Sequence, residues 1–170
     1  SLVLRGTGAE IRGLTFSNIN VEDGNGAGIR LEAGALNVAY ARFENSQQGI
    51  LTADDPTGRI YITRSTFSGL GTCEHSAGCA HSIYIGNYGS LTVRESRFER
   101  GMGGHYVKAR SAQVTIENNS FDDANGRATN YTTPSKNKKA VIIHQLLARS
   151  IKNRLGAFGY ELSLIVVWVY

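Results

Sequence analysis

The chain has 170 residues but only two prolines, two cysteines, one methionine and one tryptophan. Two cysteines cannot build a disulfide scaffold, and a chain of this length does not need one, because it can bury a sizeable core as one domain. No apolar run approaches the roughly 18 residues of a spanning helix. The longest, Leu162 to Tyr170, covers nine positions, so no transmembrane segment is expected. Charged residues make up 19% against 41% hydrophobic, which excludes a disordered chain. There is no P-loop, dinucleotide fingerprint or HExxH, and no cofactor is expected. The opening SLVLRGTGAE reads as strand and turn without a charged-then-apolar leader, so an N-terminal piece is expected to be missing.

Lysine is nearly absent from residues 1–125, where Lys108 is the sole example. That stretch carries 11 basic and 13 acidic residues, a net of −2, while residues 126–170 carry seven basic residues and Glu161, a net of +6. The overall charge of +4 and pI near 9.2 therefore come from the tail, and nucleic acid is not the partner expected. Two segments follow from this: repeats over 1–125 and an atypical basic segment over 126–170.

What is present is glycine, 20 residues of it, and a repeat. Phe16, Phe43, Phe67, Phe98 and Phe121 each follow, by five positions, an aliphatic residue: Ile11, Val38, Ile62, Val93 and Ile116. Two positions before those lie Ala9, Leu36, Ile60, Leu91 and Val114. Alternation with a period of two marks strands with one face buried. The phenylalanine spacings are 27, 24, 31 and 23, so insertions fall in loops. After each phenylalanine comes a turn rich in Asn, Gly and Asp, then a second short strand: GAGIRL, QQGIL, AHSIYI and GHYVKA. No such unit buries its apolar face alone, so rungs must stack into an all-β parallel solenoid of about five rungs. The period excludes a hexapeptide left-handed helix, and no L-x-x-L-x-L consensus supports leucine-rich repeats. A right-handed parallel β-helix remains.

Residues 131–170 lack the strand–Asn–Phe pattern. In AVIIHQLLARSIKNRL, Val141, Ile142, Leu146, Arg149 and Lys152 fall at spacings of an amphipathic helix, which would cap the open end. A membrane-surface or nucleic-acid contact and disorder are the alternatives. Ile165 to Tyr170 reads as strand.

Aligned on their central aliphatic residue, the second strands put Ile29, Ile50, Ile83 and Val107 in one inward column and Arg30, Leu51, Tyr84 and Lys108 in an outward one. Two positions further lie Glu32, Ala53, Gly86 and Arg110. Rungs about 4.8 Å apart bring Tyr84, Lys108 and Arg110 into one patch. His81 and His105, each two positions before the inward residue, should stack at a corner, with facing undecided. Cys73 and Cys79 lie in one insertion, LGTCEHSAGCAH. A small disulfide loop fits an exported protein. Zinc ligation by Cys73, His75, Cys79 and His81 has suitable ligand types but no standard spacing, and free thiols are the third reading. Asp54-Asp55-Pro56-Thr57-Gly58 reads as a type I turn, and Asp122-Asp123 as a corner.

The segments AGIRLEAG, GILTADDPTG, CAHSIYIG and GHYVKARSAQVTIENNSF resemble bacterial right-handed β-helix repeat proteins of the pectate-lyase-like superfamily, over roughly residues 5–130. That resemblance implies kinship with secreted polysaccharide lyases, mannuronan epimerases and glycoside hydrolases, and with members lacking an assigned activity. It also predicts another rung after GRATNY. A calcium-binding carboxylate cluster has no counterpart on the strands, so no metal is expected, and an Asp-Pro-His-acid motif fails because Thr57 follows Pro56.

An exported protein binding, and cleaving or epimerising, an acidic polysaccharide is the expected function. Lyases and epimerases of uronates both remove the proton α to a carboxylate, which needs a cation for the carboxylate, a base and an acid. Lys108 or Arg110 would neutralise, and Tyr84, His81 or His105 would act as base or acid, with Arg30, Glu32 and Tyr106 contacting substrate. A non-catalytic carbohydrate-binding or structural solenoid is the alternative, and an inactive fragment the third reading.

Overall fold

The computed structural model describes residues 1–74 and 78–122 with their side chains, and the backbone of 129–131, 142–152 and 158–168. The strands in order are β1 (Leu2–Leu4), β2 (Gly8–Arg12), β3 (Thr15–Ser17), β4 (Ala27–Leu31), β5 (Ala35–Ala39), β6 (Arg42–Ser46), β7 (Gln48–Thr52) and β8 (Asp55–Thr63). They continue with β9 (Thr66–Leu70), β10 (Ile83–Ile85), β11 (Tyr88–Arg94), β12 (Arg97–Glu99), β13 (Val107–Ala109), β14 (Gln113–Phe121), β15 (Thr129–Tyr131), β16 (Ile142–Lys152) and β17 (Phe158–Trp168). No helix among the described residues is long and apolar enough to cross a membrane.

One sheet runs β1-β4-β7-β10-β13-β15, all parallel. In register, Ile29 faces Ile50, Ile50 faces Ile83 and Ile83 faces Val107, the expected inward column, and Leu2 extends it by one rung. The other sheet, β2-β5-β8-β11-β14-β12-β9-β6-β3, bends around a corner, because nine-residue β14 pairs with β11 through Glu117 and with β12 from Ser120. Each rung thus has three sides: one strand of the first sheet, one beside β2, and one carrying the phenylalanine. The five phenylalanines stack ring on ring at 4.7–5.0 Å between centroids with planes within 9° of parallel. Phe43, Phe67, Phe98 and Phe121 form the buried core with Leu36, Ile60, Leu91, Val38, Ile62 and Val93, and half-buried Phe16 packs against its end.

Positive φ precedes each phenylalanine strand, and follows those of Phe16, Phe43, Phe67 and Phe98 at Asn18, Asn45, Gly69 and Arg100. Three residues before the ring stand Gly13, Tyr40, Arg64, Glu95 and Asn118, with φ of 65°, 55°, 46°, 49° and 56°. Left-handed backbone costs a non-glycine residue on the order of 1–2 kcal/mol, and cross-rung contacts offset it. Arg64 donates to the Tyr40 hydroxyl at 2.8 Å and to the Glu95 carboxylate at 2.5 Å. Inside the same corner, where the ladder is interrupted, side chains of the next rung take over the backbone N–H groups. Ala41 donates to Ser65 Oγ at 3.2 Å, Ser65 to Ser96 Oγ at 3.2 Å, and Ser96 to Asn119 Oδ1 at 2.8 Å.

The tail departs from expectation. Where an amphipathic helix was expected, β16 runs parallel to β14, and β17 pairs antiparallel with β16 from Phe158↔Lys152 to Trp168↔Ile142. β14 is otherwise an open edge, a row of unpaired N–H and C=O groups that templates a strand. With β15 beside β13, β15 and β16 occupy the places of a further rung's first two strands. The Asp54–Gly58 segment also differs: β8 begins at Asp55, whose carboxylate accepts Thr57 N–H at 3.0 Å and Gly58 N–H at 3.1 Å, a turn centred on the side chain. An N–H from Gly34, then the Thr57 hydroxyl, hold the Asp55 carboxyl below its ordinary pKa. Asp122 is at a corner, accepting Arg100 N–H at 2.5 Å, whereas Asp123 and His75 lie outside the described residues.

Candidate functional site

Register sets the site. Tyr84 on β10 pairs with Lys108 on β13, one rung away, and both point outward because Ile83 and Val107 point in. Lys108 Nζ stands 4.6 Å from the Tyr84 ring centre, and the Arg110 guanidinium carbon 5.5 Å from it. Three residues that the sequence placed in one patch are therefore together. They line a hollow of about 260 Å³ whose other walls include His81, Gln48, Asp23 and Asn25.

Neither Lys108 nor Arg110 forms an ion pair with a described residue, whereas six other arginines do. Burial, and then the charge of Arg110, pull the Lys108 pKa below its ordinary value. The ammonium is thus less solvated than on an open surface, and an anion brought into the hollow would relieve both effects.

His81 and His105 stack on neighbouring rungs, ring centres 5.3 Å apart, and His81 meets Tyr84 edge-on at 5.5 Å. His81 is 4% exposed, and its Nδ1 accepts the His105 backbone N–H at 2.8 Å. In the neutral ring that bond occupies Nδ1 and puts the proton on Nε2, which argues against His81 as a base and keeps its Nε2–H as a donor. Its ring also holds the Tyr84 edge. His105 is half-buried one rung beyond.

The substrate contacts expected elsewhere do not assemble. Arg30 Nε bonds Glu32 at 2.9 Å, and Leu51 lies between Arg30 and Tyr84 in the register, so the pair is outside the hollow. Tyr106 is buried against Phe98 and Phe121, accepts Gly101 N–H at 2.9 Å and donates its hydroxyl to Asp122. It precedes β13 at a corner, where strand alternation no longer decides which way a side chain points. Sequence reasoning missed Gln48, Asp23 and Asn25. Gln48 stands two positions before Ile50, as His81 does before Ile83 and His105 before Val107, so the spacing carried the signal. Its Nε2 donates to Asn25 Oδ1 at 3.2 Å, tying the floor of the hollow to the preceding turn.

Cys73 and Cys79 are joined in a disulfide, and the Thr72–Ala80 bridge closes the same loop, with Ala80 N–H on Thr72 O at 2.7 Å. Gly78 and Cys79 form part of the hollow's wall. The loop therefore borders the Lys108 site.

No curated protein and no solved structure matched the chain. A family model described as a right handed beta helix region matches residues 2–146, in agreement with the parallel sheets, and the chain belongs to that family.

Proposed function

We propose that this protein is exported and binds an acidic polysaccharide through the Tyr84–Lys108–Arg110 hollow, acting on a uronate unit by proton abstraction α to its carboxylate. The observation that carries the reading is a pair of cations with no carboxylate partner among the described residues, converging over one tyrosine in a concave site. At about 260 Å³ the hollow is smaller than the ~300–1,000 Å³ of drug-sized clefts and suits one sugar ring. Kinship with pectate-lyase-like enzymes, including mannuronan epimerases, is part of the same proposal. The disulfide loop supports an oxidising compartment.

In this arrangement Arg110 holds the carboxylate by two parallel hydrogen bonds. The neutral amine of Lys108 takes the α proton. In elimination the electron pair forms the ring double bond as the glycosidic C–O bond breaks, and the Tyr84 hydroxyl protonates the departing oxygen. In epimerisation a proton returns to the opposite face. A second reading, binding without turnover, gains from the hydrogen bond that argues against His81 as a base.

The test is a panel of uronate polysaccharides, followed by the ultraviolet absorbance of the unsaturated product and by calorimetry. A rise that Lys108→Ala abolishes is expected. A flat trace with binding retained and no epimer by NMR supports the non-catalytic module, and no binding to any member removes the reading altogether.

The pH dependence has opposite signs for the two steps. Binding needs the ammonium, so affinity falls as pH rises through the Lys108 pKa. Turnover needs the amine, so kcat rises as pH rises through the Lys108 pKa of the complex. The affinity change is expected below the ordinary lysine value of about 10.4, because the shift in the free protein is downward; the bound carboxylate opposes that shift, so the kcat change comes at higher pH. Lys108→Arg should keep binding at alkaline pH and abolish turnover; an unchanged kcat profile in that variant would remove Lys108 as the base.

A further inference from the structure

Turns after the phenylalanine strands differ in length, and the difference cuts a cleft. β6 ends at Ser46 and β7 begins at Gln48, a tight corner. The rungs on either side carry long insertions, between β3 and β4 and between β9 and β10, the second closed by the disulfide. Between these walls lies a second hollow of about 860 Å³, whose lining includes Val21, Glu22, Asn45, Thr72, Glu74 and Met102. It adjoins the Lys108 hollow: Glu22 lines one and Asp23 the other, Gln47 one and Gln48 the other, Cys73 one and Cys79 the other. The two are halves of one cleft whose floor is the tight corner.

The halves differ in charge. Lys108 and Arg110 stand in the smaller, with Asp23 at its wall, whereas Glu22 and Glu74 are the only charged side chains lining the larger among the described residues. Neither glutamate carboxylate has a hydrogen bond or ion pair with a described residue. A polymer with a carboxylate on every sugar would set like charges face to face there. The rest of the lining is amides and hydroxyls beside exposed Val21 and Met102, 47% and 70% accessible, which suits the hydroxyls and apolar face of an uncharged pyranose.

We propose that the ligand is an alternating copolymer, with a uronate in the Lys108 hollow and a neutral, hydroxyl- or acetamido-bearing sugar in the larger hollow beside it. This rests on the reading of the Lys108 hollow as a uronate site. Calorimetry at low ionic strength would compare a hyaluronan tetrasaccharide, in which glucuronate alternates with N-acetylglucosamine, with tetragalacturonate. The alternating ligand should bind at least about tenfold more tightly. The double variant E22K/E74K, altering two exposed side chains, should abolish that preference by strengthening tetragalacturonate binding. Lys108→Ala should weaken both ligands. Equal binding of the two by the unaltered protein, with no change of ratio in E22K/E74K, would overturn the alternating ligand and leave the uronate site standing. If neither ligand binds, both readings fall together.

Discussion

Replacing Phe67 with alanine should destabilise the fold by about 3–5 kcal/mol, the range for truncating a buried aromatic residue. Phe67 is fully buried between Phe43, at 4.7 Å, and Phe98, at 4.8 Å, both within 6° of parallel. Near-parallel stacking at these centroid distances is one of the arrangements aromatic pairs favour. Here strand spacing of about 4.7–4.9 Å sets the distance between successive rings. The neighbours therefore cannot tilt or slide into the space left by the deletion while the ladders Phe43↔Phe67 and Phe67↔Phe98 hold their backbones in register. Gly49 confirms the tight fit: a Cβ there would stand 2.9 Å from Phe67 Cδ1. Phe16, half-buried at the end of the stack, should lose clearly less on the same change. Denaturant unfolding followed by circular dichroism measures both, with m required to stay constant. A loss under about 1 kcal/mol for Phe67→Ala, or an equal loss at Phe16, would mean that the column does not carry the core.

The columns were legible in the sequence because one landmark residue per rung, the phenylalanine, fixed the register of the residues at −5 and −7, and the same two-residue period fixed Ile29, Ile50, Ile83 and Val107. Once register is known, the outward neighbours Tyr84 and Lys108 follow without further information. Legibility ended at the corners. Tyr40, Arg64, Glu95 and Arg100 adopt positive φ that their residue types do not announce, because a cross-rung partner rather than local preference holds them there. Tyr106 was misplaced for the same reason: alternation points it outward, but the chain is turning. The tail was misread because a short run such as VIIHQLLA satisfies both a helical and a strand pattern, and the decision belongs to β14, an edge that exists only after the solenoid has formed. The cleft was half visible. Unequal phenylalanine spacings declared the insertions, but that two of them would rise on either side of one tight corner depends on which strand follows which in space.

The corner itself supplies the second large effect. Gln47 is 7% exposed and fastens the first wall of the cleft: its Oε1 accepts Val21 N–H at 3.0 Å and Gly26 N–H at 2.7 Å, and its Nε2 donates to Val21 O at 2.9 Å. The approach is close at Gly26, since a Cβ there would stand 2.7 Å from Gln47 Oε1 and 3.0 Å from the Ile19 carbonyl oxygen. Gln47→Leu fills similar volume but leaves the buried Gly26 N–H without its acceptor, at a cost of about 1–3 kcal/mol. The Val21 groups are nearer solvent and recover part of their loss from water, so the whole change should come to about 2–3 kcal/mol. Gln47→Glu keeps an acceptor for both N–H groups, but its second oxygen faces the Val21 carbonyl and must take up a proton to donate there; that costs less than losing the acceptor altogether, so the variant should fall between. The functional effect has the same order. Val21 and Glu22 line the larger hollow and Asp23 and Asn25 the smaller, so loosening this wall weakens both halves of the cleft. Affinity for the tetrasaccharide should drop in Gln47→Leu more than in Gln47→Glu, at temperatures where both variants are fully folded. A Gln47→Leu protein that unfolds earlier yet binds unchanged would show that the wall is structural only, and that the ligand rests on the floor and the disulfide side alone.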